Sequence, residues 1–392
     1  MYPRKILPAL KEHLKERQIT VLTGMRRTGK TTLMKALLEA TPSRNKLYLD
    51  LERLDIRELF LEKNYDNIVY ALTGQGLRFT EPVYLALDEI QLVKNAPSVL
   101  KYLYDHYEIK FFVSGSSSYY LKNLFSESLA GRKKIFELYP LDFGEYLTFH
   151  GIELPTTPHD WRRGFIAAEY ERLKRHYEAY ILYGGFPEVV LDSRVNQKRD
   201  LIGDILNSYL TIDVQALADI RNQTALFSLI KLLAARVGTR LEYTKLASVL
   251  GVTRHTVQQY VDFLEKTYVI ARVPVFTRSP DREIVKAQKI YMSDNGFLNY
   301  LATASSGAQF ENAVFTQLRQ RGEVRYFALK TGREIDFVFD GVAGVEVKET
   351  PTLSDRTALE TLATRAGLKQ STLVGRYPVP AFTGYLWGGD LR

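Results

Sequence analysis

Between residues 19 and 38 the sequence leaves the chain few paths. An apolar run, Ile19-Thr20-Val21-Leu22, leads into Gly24-Met25-Arg26-Arg27-Thr28-Gly29-Lys30-Thr31, and a helical stretch from Thr32 to Leu38 follows. The loop matches G-x-x-x-x-G-K-[ST] at every fixed position, and the flanking strand and helix supply the setting that pattern needs. Its glycines let successive backbone N–H groups curl around phosphate oxygens at a helix N-terminus, which itself favours an anion. Gly24, Thr28, Gly29, Lys30, Thr31 and Thr32 are therefore candidate contacts for ATP. Lys30 suits the β- and γ-phosphates, and the Thr31 hydroxyl suits Mg²⁺. A plain glycine turn is the competing reading, and the strand–loop–helix context weighs against it.

The first 150 residues alternate strand and helix signals. Further strand candidates are Lys46–Leu51, Val83–Asp88 and Phe111–Ser116. That alternation predicts a mainly parallel sheet with crossover helices, whose ligands bind outside the carboxyl ends of the strands. Val83-Tyr84-Leu85-Ala86-Leu87 ends in Asp88 and Glu89. Downstream of a phosphate loop, such a pair suits Asp88 to the Mg²⁺ shell and Glu89 to polarising the attacking water. Ser114, at the end of another apolar strand, is either a γ-phosphate contact or part of a Ser/Gly turn with Gly115, Ser116 and Ser117. Arg132, in Leu129-Ala130-Gly131-Arg132, is the candidate for neutralising transition-state charge. In a homo-oligomer it could serve a neighbouring subunit, and the sequence leaves cis and trans open.

A chain of 392 residues implies two or three domains, so the expected class is α/β multidomain. Met1 to Gln18 reads as an amphipathic helix on Ile6, Leu7, Leu10 and Leu14, without the apolar centre of a signal peptide. No apolar run approaches a membrane span, so no membrane association is expected. Cysteine is absent, which excludes a disulfide framework and a thiolate zinc site. A cytoplasmic location is the expectation.

Residues 151–224 read as a helical lid, interrupted by the breaker Gly184-Gly185-Phe186-Pro187. Residues 225–294 differ. A helix at Leu226–Arg236 is followed by a second to Gly251, a third from the N-cap Thr253 to Lys266, then strands Tyr268–Phe276 and Glu283–Met292. Helices followed by a β-hairpin are the winged-helix arrangement. In the third helix Val257, Tyr260, Val261 and Leu264 take core spacing, leaving Arg254, His255, Gln258 and Gln259 outward as DNA contacts. The formal net charge is +8, and Ala225 to Ile290 carries eleven basic against five acidic side chains. Such clustering fits a DNA footprint, while a solvated face is the plainer explanation of charge alone.

Residues 295–392 form another α/β unit. Glu334-Ile335-Asp336-Phe337-Val338-Phe339 turns at Asp340-Gly341 toward Val345-Glu346-Val347-Lys348. The strand period of two places Glu346 and Lys348 on one face, and hairpin pairing brings Asp336 near both. Asp336 and Glu346 holding Mg²⁺, with Lys348 activating a water, would suit phosphodiester attack. Glu311 in the preceding helix is a further candidate ligand. A solvated Glu–Lys pair is the alternative.

Together these residues resemble a prokaryotic family of AAA-like P-loop ATPases whose C-terminal half ends in a PD-(D/E)XK nuclease-like fold. The resemblance covers nearly the whole chain. It is carried by Gly24–Thr31, Leu87-Asp88-Glu89-Ile90-Gln91, Ser114–Ser117, Leu129–Arg132, Leu138-Tyr139-Pro140-Leu141-Asp142-Phe143, Gly184–Pro187, Ser293-Asp294-Asn295-Gly296 and the 334–348 hairpin. It implies an ATP site at Lys30, Thr31, Asp88 and Glu89, and a restriction-endonuclease-like α/β domain with Asp336, Glu346 and Lys348 as its triad. One departure is Ile335 where the family motif has proline. Two functions follow: an ATPase that binds and cuts DNA, or a nucleotide-dependent switch whose later domains make protein contacts without cleavage.

Overall fold

The computed structural model describes residues 2–116, 129, 131–154, 161, 164–214, 220, 222–277 and 287–392. Strands β1 (Ile19–Thr23) and β4 (Ile109–Gly115) are buried at every position. This is the continuous apolar pattern of strands covered on both faces. With β2 (Lys46–Asp50), β3 (Val83–Asp88) and β5 (Lys133–Glu137) they form a sheet ordered β2-β3-β4-β1-β5, in which every pair is parallel. Leu22, Ala86 and Phe112 face the helix Lys30–Ala40 and Leu10 of the N-terminal helix. Val21, Leu85, Phe111 and Val113 face Ile68, Leu72, Val99 and Leu103 on the helices Tyr65–Gly74 and Ala96–His106. Strand β5 escapes the sequence pattern because three of its five residues are charged, as suits a sheet edge.

The N-terminal helix is Leu7–Glu12, extended by a 3₁₀ turn at His13–Lys15. Lys110, the second residue of β4, donates to the carbonyls of His13, Glu16 and Gln18 at 2.9, 2.7 and 2.6 Å. It thereby satisfies carbonyls that a helix end leaves open, while burial pushes its pKa down to about 8.

After β5 come helices Phe143–Phe149, Ala167–Tyr183, Pro187–Leu191 and Val195–Ser208, the last running into a π-helical turn, Tyr209–Asp213. Helices Gln223–Ala235, Tyr243–Leu250 and Arg254–Lys266 follow, then the antiparallel pair β6 (Ile270–Val273) and β7 (Lys289–Met292). Thr253 caps the third helix by accepting from the Thr256 N–H at 3.1 Å. Its core-spaced residues Val257, Tyr260, Val261 and Leu264 are buried. The ribbon is shorter than the sequence pattern implies. Beyond β6 the chain turns away, and Val275 bridges to Tyr326 of the next sheet. Residues 278–286, with the start of the expected second strand, lie outside the described residues, as do Ser117 and Ala130.

The C-terminal unit carries helices Asn295–Leu301, Ser306–Arg319 and Leu353–Ala366. Its sheet is ordered β12-β11-β10-β9-β8, from β8 (Val324–Ala328), β9 (Glu334–Phe339), β10 (Ala343–Lys348), β11 (Gln370–Gly375) and β12 (Leu386–Trp387). The β8–β9–β10 pairings are antiparallel, and β10–β11–β12 are parallel.

One apolar core runs from Phe143 through Tyr177, Leu226, Val257, Phe310 and Phe337 to Trp387. Three of the motifs quoted above dock on one another within it. Gly185 accepts from the Leu141 N–H at 2.7 Å and donates to Asp294 Oδ2 at 2.7 Å, while Asp294 Oδ1 takes the Gly296 N–H at 2.7 Å. A side chain at Gly185 would collide with the Leu141 carbonyl. Burial pushes the Asp294 carboxyl up to about 6.

Candidate functional site

The carboxyl ends of β2 and β3 and the loop that follows β1 line a cleft of about 550 Å³. Gly24 ends β1 at φ +155°, where a Cβ would strike the Leu138 carbonyl, and Gly29 caps the following helix at φ +98°. Lys30 is buried, with Nζ donating to the carbonyls of Gly24 and Met25 at 2.9 Å each. Burial pulls its pKa down, while Glu89, Asp213 and Asp88 oppose that shift. An ammonium held only by loop carbonyls is suited to a phosphate. The Thr31 hydroxyl donates to Asp88 Oδ2 at 2.6 Å, and the Tyr48 hydroxyl donates to the same oxygen at 2.8 Å.

Ser114 donates to the other Asp88 oxygen and accepts the Glu89 N–H at 3.3 Å. Glu89 sits at φ +56°, a left-handed conformation that is costly for a non-glycine residue. Its carboxylate accepts from Gln91, and burial raises its pKa against the pull of Lys30 and Arg26. Gly29, Lys30, Thr31, Thr32, Asp88 and Glu89 all line the cleft.

Three expected contacts are placed differently. The Thr28 hydroxyl turns inward to the Met25 carbonyl at 2.9 Å, so it braces the loop. Ser114 is fully buried against Asp88 and does not line the cleft. Arg132 precedes β5 and pairs with Asp105 at 3.1 Å, at the end of the sheet opposite the phosphate loop. The five-residue length of β1 separates the two, roughly 16 Å at the usual rise per residue. Within one chain Arg132 does not reach the cleft.

Residues missed by pattern reading close the site from above. Arg26 donates to Asp213 at 2.8 Å and Glu52 at 3.1 Å, and Ser116 donates to Asp213 at 2.5 Å. Arg26 lies inside the motif and Gln91 two residues past the acid pair, so both had a sequence signal. Asp213 had none.

In the C-terminal sheet the β9–β10 register pairs Val345 with Phe337, so Asp336 and Glu346 are the next positions on the two strands. Asp336 Oδ2 accepts the Val347 N–H at 2.9 Å, Glu346 Oε2 accepts the Asp336 N–H at 3.4 Å, and Lys348 pairs with Glu346 Oε1 at 2.7 Å. Glu311 joins them, accepting from the Tyr291 hydroxyl at 2.6 Å. The cation position, however, is taken. Lys289 Nζ, on a side chain only 3% exposed, lies 2.8 Å from Glu334, 3.8 Å from Asp336 and 4.0 Å from Glu311. Among the described residues no three Asp, Glu, His or Cys side chains are arranged to hold a metal ion. Glu311, Asp336 and Glu346 each have an oxygen engaged inside the protein, by the Tyr291 hydroxyl, the Val347 N–H and Lys348 respectively, so as arranged they are not set out as a Mg²⁺ site. Burial pushes Glu311 and Glu346 up to about 7.

Arg254, His255 and Gln259 are exposed at the start of the helix Arg254–Lys266, with Gln258 half-buried. The basic surplus around them is partly spent. Arg240 pairs with Glu334, Lys245 with Glu242, Arg272 with Asp262 and Glu265, and Lys289 is buried. Arg278, Arg282 and Lys286 lie outside the described residues.

Residues 16–147 match a family model described as an AAA domain, so this part of the chain is similar to P-loop ATPase domains of the AAA type. Residues 174–308 match a domain of unknown function, DUF8612. An uncharacterized protein of Methanocaldococcus jannaschii is 26% identical over 83% of this chain and 72% of its own length. One from Haemophilus influenzae is 25% identical over 82% and 79%. Solved structures that overlay include the Aeropyrum pernix ORC2 protein in its ADP form, 13% identical over 69% of this chain and 87% of that one, with a TM-score of 0.38. Another is the Aeropyrum pernix ORC1 protein in complex with DNA, 14% identical over 75% and 90%, with a TM-score of 0.34. Those scores fall short of a shared whole-chain fold. The likeness to P-loop ATPases rests on the family match and on the parallel sheet with its phosphate loop. Among the described residues no helix is long and apolar enough to cross a membrane.

Proposed function

We propose that the chain binds and hydrolyses ATP and couples that cycle to DNA. The observation that carries this is the convergence of Lys30, Thr31, Asp88 and Glu89 on one cleft at the carboxyl edge of a parallel sheet. A P-loop asks the protein for one hydroxyl and one carboxylate on its metal, which Thr31 and Asp88 supply. Bound ATP·Mg²⁺ brings the scissile phosphoryl group and a cation that offsets its charge. Lys30 and the Gly29 to Thr32 N–H groups hold phosphate oxygens, Tyr48 and Ser114 fix the Asp88 carboxylate, and Glu89 orients the attacking water. The exposed Arg254, His255 and Gln259, presented by a helix with a β-ribbon behind it, support a winged-helix reading with DNA as partner.

For the C-terminal domain, the reading we favour is a nuclease-like fold used for contact without cleavage, because the buried Lys289 ammonium already lies within 4.0 Å of Glu334, Asp336 and Glu311. Phosphate release by the wild type, lost in Lys30→Ala, tests the ATPase. DNA affinity that stays flat across salt would remove the phosphate contacts, since counterion release demands a steep fall. Plasmid cleavage with Mg²⁺ or Mn²⁺ that disappears in Asp336→Ala would restore the nuclease reading.

A further inference from the structure

An acid that this nucleotide chemistry leaves unused is buried between the phosphate loop and the helical segment above it. Asp213 ends the π-helical turn Tyr209–Asp213, and its side chain is 4% exposed. One carboxylate oxygen accepts from Arg26 Nε at 2.8 Å and the other from the Ser116 hydroxyl at 2.5 Å. Arg26 belongs to the phosphate loop and lines the cleft beside Lys30 and Glu89. Ser116 accepts from Gln91 Nε2 at 3.2 Å, and that same amide group donates to Glu89. A continuous set of hydrogen bonds therefore links the loop arginine, the lid segment and the acid that orients water.

We propose that Arg26 is the arginine that neutralises phosphate charge from within the same chain, and that Asp213 is its positioning residue, holding the guanidinium until phosphate competes for it. This deepens the ATPase reading and rests on it. The guanidinium carries five N–H donors in a planar fork suited to phosphate oxygens. Its transfer to phosphate takes from the buried Asp213 its hydrogen-bonded cation and leaves it the field of Lys30, which phosphate also claims, an arrangement too costly to persist. Asp213 must then leave with its turn or take up a proton, and either event moves Ser116 and Gln91 against Glu89. A single π turn is an easily rewound segment and is frequent at functional sites. At its other end the Tyr209 hydroxyl meets Thr267 Oγ1 at 2.7 Å, just past the helix that presents Arg254.

The test measures ATP turnover and the affinity for a fluorescent ATP analogue in the full chain. Arg26→Ala should lower kcat by about 100-fold or more, the scale of a lost transition-state charge donor, with KM changed far less. Arg26→Lys, which keeps a cation for Asp213, should recover part of kcat and answers the question if the alanine variant does not fold. Asp213→Asn should tighten nucleotide binding about threefold or more, because the competing state is removed. Asp213→Glu should return affinity toward the wild type. Loss of fold would weaken binding, so tightening separates competition from damage. Wild-type kcat in Arg26→Ala, with turnover abolished in Arg132→Ala, would assign the charge to a neighbouring subunit and overturn the proposal. Unchanged or weaker binding in Asp213→Asn would overturn the positioning role. If instead the wild type releases no phosphate and Lys30→Ala binds nucleotide equally well, the ATPase reading itself fails.

Discussion

Replacing Lys289 by methionine keeps most of the apolar stem and removes the one charge that three carboxylates share. Glu334, Asp336 and Glu311 lie 2.8, 3.8 and 4.0 Å from that ammonium. Glu334 keeps Arg240 at 2.9 Å, so the uncompensated charge falls on Asp336 and Glu311. Breaking a buried pair by removing one partner costs about 3–5 kcal/mol. Protonation is the escape, and its sign is defined. Burial already holds the Glu311 carboxyl at about 7, above its ordinary value, and loss of Lys289 raises it further. A carboxyl raised in the folded state supports stability below its unfolded value and withdraws that support as pH rises through the folded one. The deficit should therefore be larger at pH 8 than at pH 5.5 and still rising at pH 8, because the variant's carboxyl titrates above 7. Hydrogen exchange of the β9 and β10 amides, compared at the two pH values after correction for intrinsic rates, reads this locally. Protection should fall by about tenfold or more at pH 8, the equivalent of roughly 1.4 kcal/mol per pH unit above the wild-type value. A loss below about fivefold at pH 8, or one equal at both pH values, would refute the view that Lys289 is the internal counter-cation.

Three other outcomes are expected. Glu89→Gln should bind the ATP analogue like the wild type while phosphate release falls by about 10²–10⁴-fold; turnover within threefold of the wild type would remove Glu89 from the chemistry. Asp294 has a folded value of about 6, above its ordinary 3.8, so the stability it supports is whole below about pH 4 and declines through pH 6. The melting temperature of Asp294→Asn should accordingly vary less with pH in that window than the wild type's, and identical slopes would contradict it. Arg254→Ala should weaken DNA binding across sequences and reduce the magnitude of the salt slope by about 1; an unchanged slope would place Arg254 away from the phosphates.

Legibility from sequence followed how local the cause was. Four strands of the parallel sheet, the Thr253 cap and the 334–348 hairpin were readable, because apolar runs, a capping hydroxyl and a two-residue period act over a few residues. Strand β5 was not, since an edge strand with three charges carries little apolar signal. The ribbon was overestimated at Phe276 because Val275 pairs with Tyr326, some fifty positions away. Thr28 and Ser114 were named for the phosphate but brace the loop and the Asp88 carboxylate, a distinction of side-chain direction that spacing does not contain.

What the sequence determined by itself is the phosphate loop with its strand, helix and acid pair, because Gly24 to Thr31 and Asp88-Glu89 are short segments whose backbone needs are met locally. What only the tertiary structure decided is which charges meet. Asp213 reaches Arg26 across 187 positions, and Lys289 enters the acids of a hairpin that begins 45 residues later. Both meetings depend on the shared core that folds the later segments over the sheet. In such an interior a carboxylate or ammonium must find its partner wherever the chain brings one within a few ångströms.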